Sequence, residues 1–160
     1  MKKIILISGI CGVGKSTICK FLHNDKTLNY NIFDLDDLVN ANEYNNELIY
    51  ENAINKANIL SKKDIILLSC MGPSDLEKIK IPNNILISKK ILITCPDLEI
   101  RKRLKERDKK RNCSSDEFIE KQINYQNYLL DNKNKFDLHL VNFNNNLENI
   151  IIQIVEFVKR

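Results

Sequence analysis

The chain of 160 residues has the length of one compact domain; 43% of it is hydrophobic, 29% charged, and it holds only 4 Gly and 3 Pro, which excludes disordered and fibrous classes. Its net charge of +4 comes from 20 Lys and 5 Arg against 21 acids and concentrates in RKRLKERDKKR, residues 101–111, a run without an aromatic residue that reads as a solvated helix face or a phosphate clamp rather than a nucleic-acid surface. No stretch approaches the ~18 apolar residues that span a membrane, and five cysteines with neither CxxC nor His-linked spacing point to free thiols in a reducing, cytoplasmic setting rather than to zinc or a disulfide framework.

In chain order, apolar β-branched runs predict strands at 3–8, 30–34, 64–69, 90–95 and 137–141. The first, third and fourth are continuously apolar, as strands covered on both faces of a parallel sheet should be. Helices are expected at 15–24, 43–61, 97–109, 115–132 and 147–159. Ile49, Ala53, Ala57 and Leu60 form a stripe on the second, and Leu147, Ile150, Ile151, Ile154, Val155 and Val158 form one on the last. SSDE at 114–117 reads as a capping box, and Pro96 with Asp97 opens the helix before it. Strand alternating with helix along one domain, 1–160, predicts a doubly wound, three-layer α/β sandwich. Heavy use of Asn, Lys and Ile is a bias of composition, so NFNNN at 142–146 carries no functional weight on that ground alone.

The chemistry begins at SGICGVGKST, residues 8–17. Gly9, Gly14, Lys15 and Ser16 satisfy G-x-x-x-x-G-K-[ST] between a strand and a helix, the context that a phosphate-binding loop requires. The expected nucleotide contacts are Gly9, Cys11, Gly12, Val13, Gly14, Lys15, Ser16 and Thr17. Backbone N–H groups turn toward phosphate oxygens, Lys15 reaches the β and γ phosphates of ATP, and the Ser16 hydroxyl takes a place on Mg²⁺. Cys11 reads as a small packing residue, although a helix N-terminus beside it would lower its pKa and favour oxidation. NKFD at 134–137 resembles a GTPase base reader but precedes a strand instead of following one, and DIILLSCMG carries no acid at the end of the third strand, where a motor ATPase would. Kinases remain.

FDLDDL, residues 33–38, ends the second strand with Asp34 and Asp36 at i and i+2, a spacing that in an extended backbone turns both carboxylates toward one volume. The alternative is that these acids cap the next helix. With the loop, DLD and the basic run in place, the chain resembles the small P-loop metabolite kinases, the shikimate and gluconate kinase-like group of the nucleoside monophosphate kinase fold. The resemblance implies five parallel strands in order 2-3-1-4-5 and an arginine-bearing lid at about 107–114, ordered when ATP supplies its counter-charge. It also implies Asp34 on Mg²⁺ with Ser16, Asp36 as acceptor of the hydroxyl proton, Arg101 against adenine, and Arg107 or Arg111 on the transferring phosphoryl group, with Arg103 solvated.

The chain departs from shikimate kinases in lacking arginine before residue 101, in a third-strand turn CMGPSD with one glycine, and in Gln122 where they carry an arginine. An ATP-dependent kinase of a small metabolite hydroxyl is expected, monomeric or homodimeric, with a nucleoside or nucleoside monophosphate kinase and a non-catalytic nucleotide-binding protein as alternatives. Acid and amide residues around the expected acceptor site, including Asp34, Asp36, Asp37, Glu43, Tyr44, Asn45 and Glu47, favour an uncharged or cationic acceptor.

Overall fold

Residues 1–39, 46–107, 115–143 and 146–160 are described by a computed structural model. The Ile/Leu runs form β1 (Lys2–Ser8) and β3 (Ile65–Ser69), flanked by β2 (Asn31–Asp34), β4 (Ile85–Thr94) and β5 (Leu138–Val141). All pair in parallel, in the order β2-β3-β1-β4-β5.

Alternation along the central strands explains the helices on both faces. Ile5, Ile7, Ile66 and Leu68 point into one core with Ile18 and Leu22 of α1 (Lys15–Asn24), Ile119 and Ile123 of α6 (Asp116–Asp131), and Ile150, Ile154 and Val158 of α7 (Leu147–Lys159). Ile4, Leu6, Ile65 and Leu67 point into the other, against Tyr50, Ala53, Ile54 and Ala57 of α3 (Asn46–Leu60). Two faces of one sheet are thus dry, and neither strand run could tolerate a one-residue slip.

Several boundaries differ from expectation for local physical reasons. Strand β4 begins at Ile85, five residues early, because a bulge between its partners Ile4 and Ile5 leaves Ser88 unpaired with β1; the Ser88 hydroxyl donates to the Ile4 carbonyl at 3.2 Å, and the polar SKK segment thereby stays in the ladder. The short helices α2 (Leu35–Leu38) and α4 (Pro73–Lys78) are too brief to show helical periodicity. In α3, Leu60 is exposed and Tyr50 and Ile54 take the core positions beside Ala53 and Ala57. Helix α5 is Asp97–Arg107, and α6 is capped by Ser115, whose Oγ accepts from Phe118 N–H at 3.1 Å, one residue beyond the expected cap. Among the described residues no helix is long and apolar enough to cross a membrane.

Helix α6 is fixed to the sheet by Gln126, which is 1% exposed. Its side-chain amide pairs with both backbone groups of Cys95, accepting from the N–H at 3.0 Å and donating to the carbonyl at 2.8 Å. Gln126→Leu keeps the volume but strands two buried backbone groups, each worth about 1–3 kcal/mol when unpaired. Urea unfolding should therefore lose at least ~2 kcal/mol relative to the wild type, with an unchanged denaturant slope.

Candidate active site

Six residues, 9–14, join β1 to α1. Gly12 and Gly14 have φ of 86° and 101°, the left-handed region that a side chain disfavours. Gly9 is required for space instead: a Cβ there would lie 2.6 Å from the Ile93 carbonyl oxygen and 2.8 Å from Val13 Cγ2. No side chain caps α1 at Gly14, so its first-turn amides stand beside the cavity with the helix dipole behind them.

The loop is held from three other elements. Gln122 of α6 accepts from Cys11 N–H at 3.0 Å, buried Asn142 after β5 donates to the Val13 carbonyl at 2.7 Å, and Arg103 of α5 donates to the Gly12 carbonyl at 3.4 Å. Lys15 folds over the loop, its ammonium donating to the Gly9 and Ile10 carbonyls at 2.8 and 2.9 Å.

Opposite the loop stands Asp34, 7% exposed. Its Oδ1 accepts from Asp36 N–H at 3.3 Å, capping α2, and its Oδ2 accepts from the Ser16 hydroxyl at 3.0 Å. The expected extended geometry of the two acids is corrected here: the strand ends at Asp34, and Asp36 stands in the first turn of α2. Both carboxylates nevertheless line one cavity of about 500 Å³, together with Cys11, Gly12, Gly14, Lys15, Ser16 and Thr17 from the loop. The cap is therefore Asp34 itself, and a single carboxylate serves helix and loop at once. Ser16 and Asp34 place two oxygen donors side by side, a fit for a hard cation that completes its shell with phosphate and water; the described residues contain no larger cluster of acidic, His or Cys ligands.

The arginines are distributed differently from expectation. Arg101 turns away from the cavity to pair with Glu120 on α6, whereas Arg103, expected to be solvated, lines the cavity with Arg107. The signal lay in the spacing: 103 and 107 are one helical turn apart and share a face, on which Glu99 also orients Arg103 Nε at 2.8 Å. Arg111, Cys113 and the lid beyond Arg107 lie outside the described residues, as do Glu43, Tyr44 and Asn45. Of the other loop residues, Val13 is buried in the core beneath the loop and Gly9 supports it from below.

Ser69 and Cys70 at the end of β3, and Asn142 and Leu147 near the C-terminal helix, complete the lining. None was assigned to the site by sequence: Leu147 was read only as part of the apolar stripe of the last helix, and Asn142 was hidden by the Asn-rich composition around it. The Cys11 thiol donates a hydrogen bond to Cys70, which pushes Cys11 up rather than down, burial adding to the effect; the same bond, with Lys15 nearby, pulls Cys70 below the usual thiol range. Tyr125 of α6 hydrogen-bonds the Cys70 carbonyl at 2.9 Å, and Gly72 packs beneath it, where a Cβ would lie 2.8 Å from the Tyr125 hydroxyl and 3.1 Å from Leu129.

A five-stranded parallel sheet in order 2-3-1-4-5 with a phosphate-binding loop after its central strand defines the P-loop kinase fold. The chain belongs to the AAA domain family, whose model matches residues 5–124. Its fold is similar to that of a gluconokinase from Sinorhizobium meliloti 1021 (TM-score 0.67, 13% identity, 99% of this chain and 92% of that one). It is similar also to shikimate kinases from Bacteroides thetaiotaomicron (0.67, 14%, 99% of each chain) and from Acinetobacter baumannii in complex with shikimate (0.61, 14%, 99% and 93%). No match was found among the curated proteins.

Because buried Asn142, just after β5, donates to the Val13 carbonyl, Asn142→Ala should cost about 1–3 kcal/mol of unfolding free energy. Hydrogen exchange should report faster opening at residues 9–14 with the far sheet edge, β2, unchanged.

Proposed function

We propose that this protein moves the γ-phosphoryl group of ATP to a hydroxyl of a small metabolite. The observation that carries the reading is the Ser16–Asp34 hydrogen bond, with Asp36 opening into the same cavity as Lys15 and Arg107. A passive nucleotide binder needs the loop; it has no use for a second carboxylate across from it. The fold neighbours, named as gluconokinase and shikimate kinases, support the same class.

In this reading Lys15 leaves the Gly9 and Ile10 carbonyls to meet the β and γ phosphates, while loop amides and the start of α1 hold the remaining oxygens. Mg²⁺, held by Ser16 and Asp34, would neutralise phosphate charge. Asp36 accepts the proton of the attacking hydroxyl, and Arg107, with Arg111 of a lid at about 107–114, meets the charge that spreads over the phosphoryl oxygens. Arg103, anchored by Glu99, takes the nucleotide-facing role that the sequence assigned to Arg101.

The acceptor is read from the distribution of charge. Among the described residues every cationic side chain lining the cavity comes from the start of α1 or from α5, whereas the α2 side offers Asp34, Asp36 and Leu35. Lys56 is committed to the Leu38 carbonyl at 2.8 Å and Lys78 lies 4.0 Å from Glu47. An anionic acceptor would be desolvated without a paired cation, at a cost of several kcal/mol. A polyol, sugar, nucleoside or cationic amino alcohol fits.

Three measurements test this. Mg-ATP should raise the melting temperature of the wild type, a ligand at 100 times its Kd contributing about 2.7 kcal/mol, and Lys15→Ala should lose most of that shift while melting normally without ligand. ADP release across neutral acceptors and their acid or phosphorylated counterparts should favour the neutral member of each pair. Asp36→Asn should lower kcat by about 10² to 10⁴-fold with little change in the KM for ATP. Preference for the anionic members would overturn the acceptor assignment, and wild-type turnover in Asp36→Asn would remove it as the base.

A further inference from the structure

Two cysteines face each other inside the cavity, and the kinase reading gives neither a role. Cys11 sits in the phosphate-binding loop and Cys70 one residue beyond β3; both are half-buried and both line the open cavity, so a small solute can reach them. Their approach is built into the sheet. Ser8 and Ser69 are partners in the β1–β3 ladder, and Gly9 N–H donates to the Ser69 carbonyl at 3.2 Å, so the two segments leave the sheet as neighbours. Cys70 follows Ser69 directly and Cys11 lies three residues beyond Ser8, so both enter the cavity from the same end of adjacent strands.

Helix α6 then clamps both segments from above. Gln122 holds the backbone N–H of Cys11 and Tyr125 holds the backbone carbonyl of Cys70, and these two side chains, three residues apart, share one helix face. Each thiol is the chief influence on the other's titration, and the Lys15 charge favours the Cys70 thiolate. The remaining described cysteines, Cys19 and Cys95, are 4% and 2% exposed and lie in the core.

We propose that Cys11 and Cys70 form a reversible disulfide on exposure to a hydroperoxide, closing the phosphate-binding loop onto the end of β3. Cys70 Sγ, as the thiolate, attacks one peroxide oxygen; the O–O bond breaks, Cys70 becomes a sulfenic acid, and the departing hydroxide takes up a proton as water. Cys11 Sγ then attacks the Cys70 sulfur, the S–O bond breaks, and the leaving hydroxide takes the Cys11 proton. Two thiols and one hydrogen peroxide give one disulfide and two waters, two electrons passing from sulfur to oxygen. The roles follow the environment: Cys70, pulled down by the Cys11 hydrogen bond and by Lys15, is the thiolate that attacks, and Cys11, pushed up, is the resolving thiol.

The covalent step does not depend on the kinase reading; only its effect on ATP does. The bond tethers the loop at the residue preceding Gly12 and would keep it from rearranging around a triphosphate.

Purified protein is treated with a small excess of hydrogen peroxide, alkylated, digested without reduction and mapped by mass spectrometry. The expected result is loss of two hydrogen masses from the intact chain, a linked peptide pair carrying Cys11 and Cys70, and its disappearance with dithiothreitol. Cys70→Ser should abolish the link and leave Cys11 alkylatable at the same dose; Cys11→Ser should leave Cys70 oxidised past the sulfenic state instead of linked. Retention of both thiols, or linkage through Cys113 in place of either, overturns the proposal. Mg-ATP thermal shift on the oxidised protein should report an affinity at least about tenfold weaker, recovered on reduction; an unchanged affinity with the link present overturns the closure while leaving the modification site. Because the mass readout uses no nucleotide, failure of the kinase assignment would be seen separately, in the Lys15→Ala titration.

Discussion

Parallel strands that end together leave a row of backbone groups without ladder partners, and in this protein one helix meets several of them. The α6 side chains Gln122, Tyr125 and Gln126 bond the backbone of Cys11, Cys70 and Cys95, the residues just past β1, β3 and β4. Ile119, Ile123 and Leu129, interleaved with Gln122 and Gln126 on the same face, are buried in the core and hold it down. Backbone groups that a ligand-binding cleft would otherwise leave to water are therefore paired within the protein. The cavity keeps its shape because its rim is tied to a helix and not merely to its own loops.

With the rim fixed, charge divides across the opening. Lys15, Arg103 and Arg107 stand on the loop and α5 side, Asp34 and Asp36 on the α2 side. Arg103 is paired with Glu99, but Lys15 is parked on two loop carbonyls, and Asp34 is shared between a helix cap and the Ser16 hydroxyl. Each of the Lys15 and Asp34 bonds joins a charge to a neutral dipole, so it can be exchanged for a ligand without leaving a buried charge unpaired. The arrangement suits a site that handles polyanions on one wall and proton acceptance on the other.

The strands and the loop were legible because their signals are local and redundant, whereas the strand order came only through the resemblance to small P-loop kinases. Unbroken Ile/Leu runs mark buried strands, and the glycine spacing between a strand and a helix leaves few other readings. What escaped was set by three-dimensional neighbours. The spacing of Arg103 and Arg107 puts them on one face, but that this face, and not that of Arg101, meets the loop depends on where α6 places Glu120. Gln122, read against the resemblance as a missing acceptor arginine, instead bonds the Cys11 backbone, and Asn142 carries weight that an Asn-rich composition concealed. Asp34 and Asp36 reach one cavity, as the DLD spacing suggested, although by a strand-to-helix corner rather than along a strand. The four-residue α2 is too short for periodicity to reveal, and that shortness is why the corner was invisible.

Gly72 links the turn after β3 to Tyr125 and Leu129 more tightly than any polar contact does, since the space for even a methyl group is already filled by α6. A chain drifting by single substitutions cannot enlarge residue 72 while Tyr125 remains, nor would shrinking Tyr125 alone go unnoticed, because it would free the Cys70 carbonyl. Variants that alter this corner should therefore change both positions in concert, and a library randomised at 72 and 125 together should yield folded pairs that neither single-site library contains.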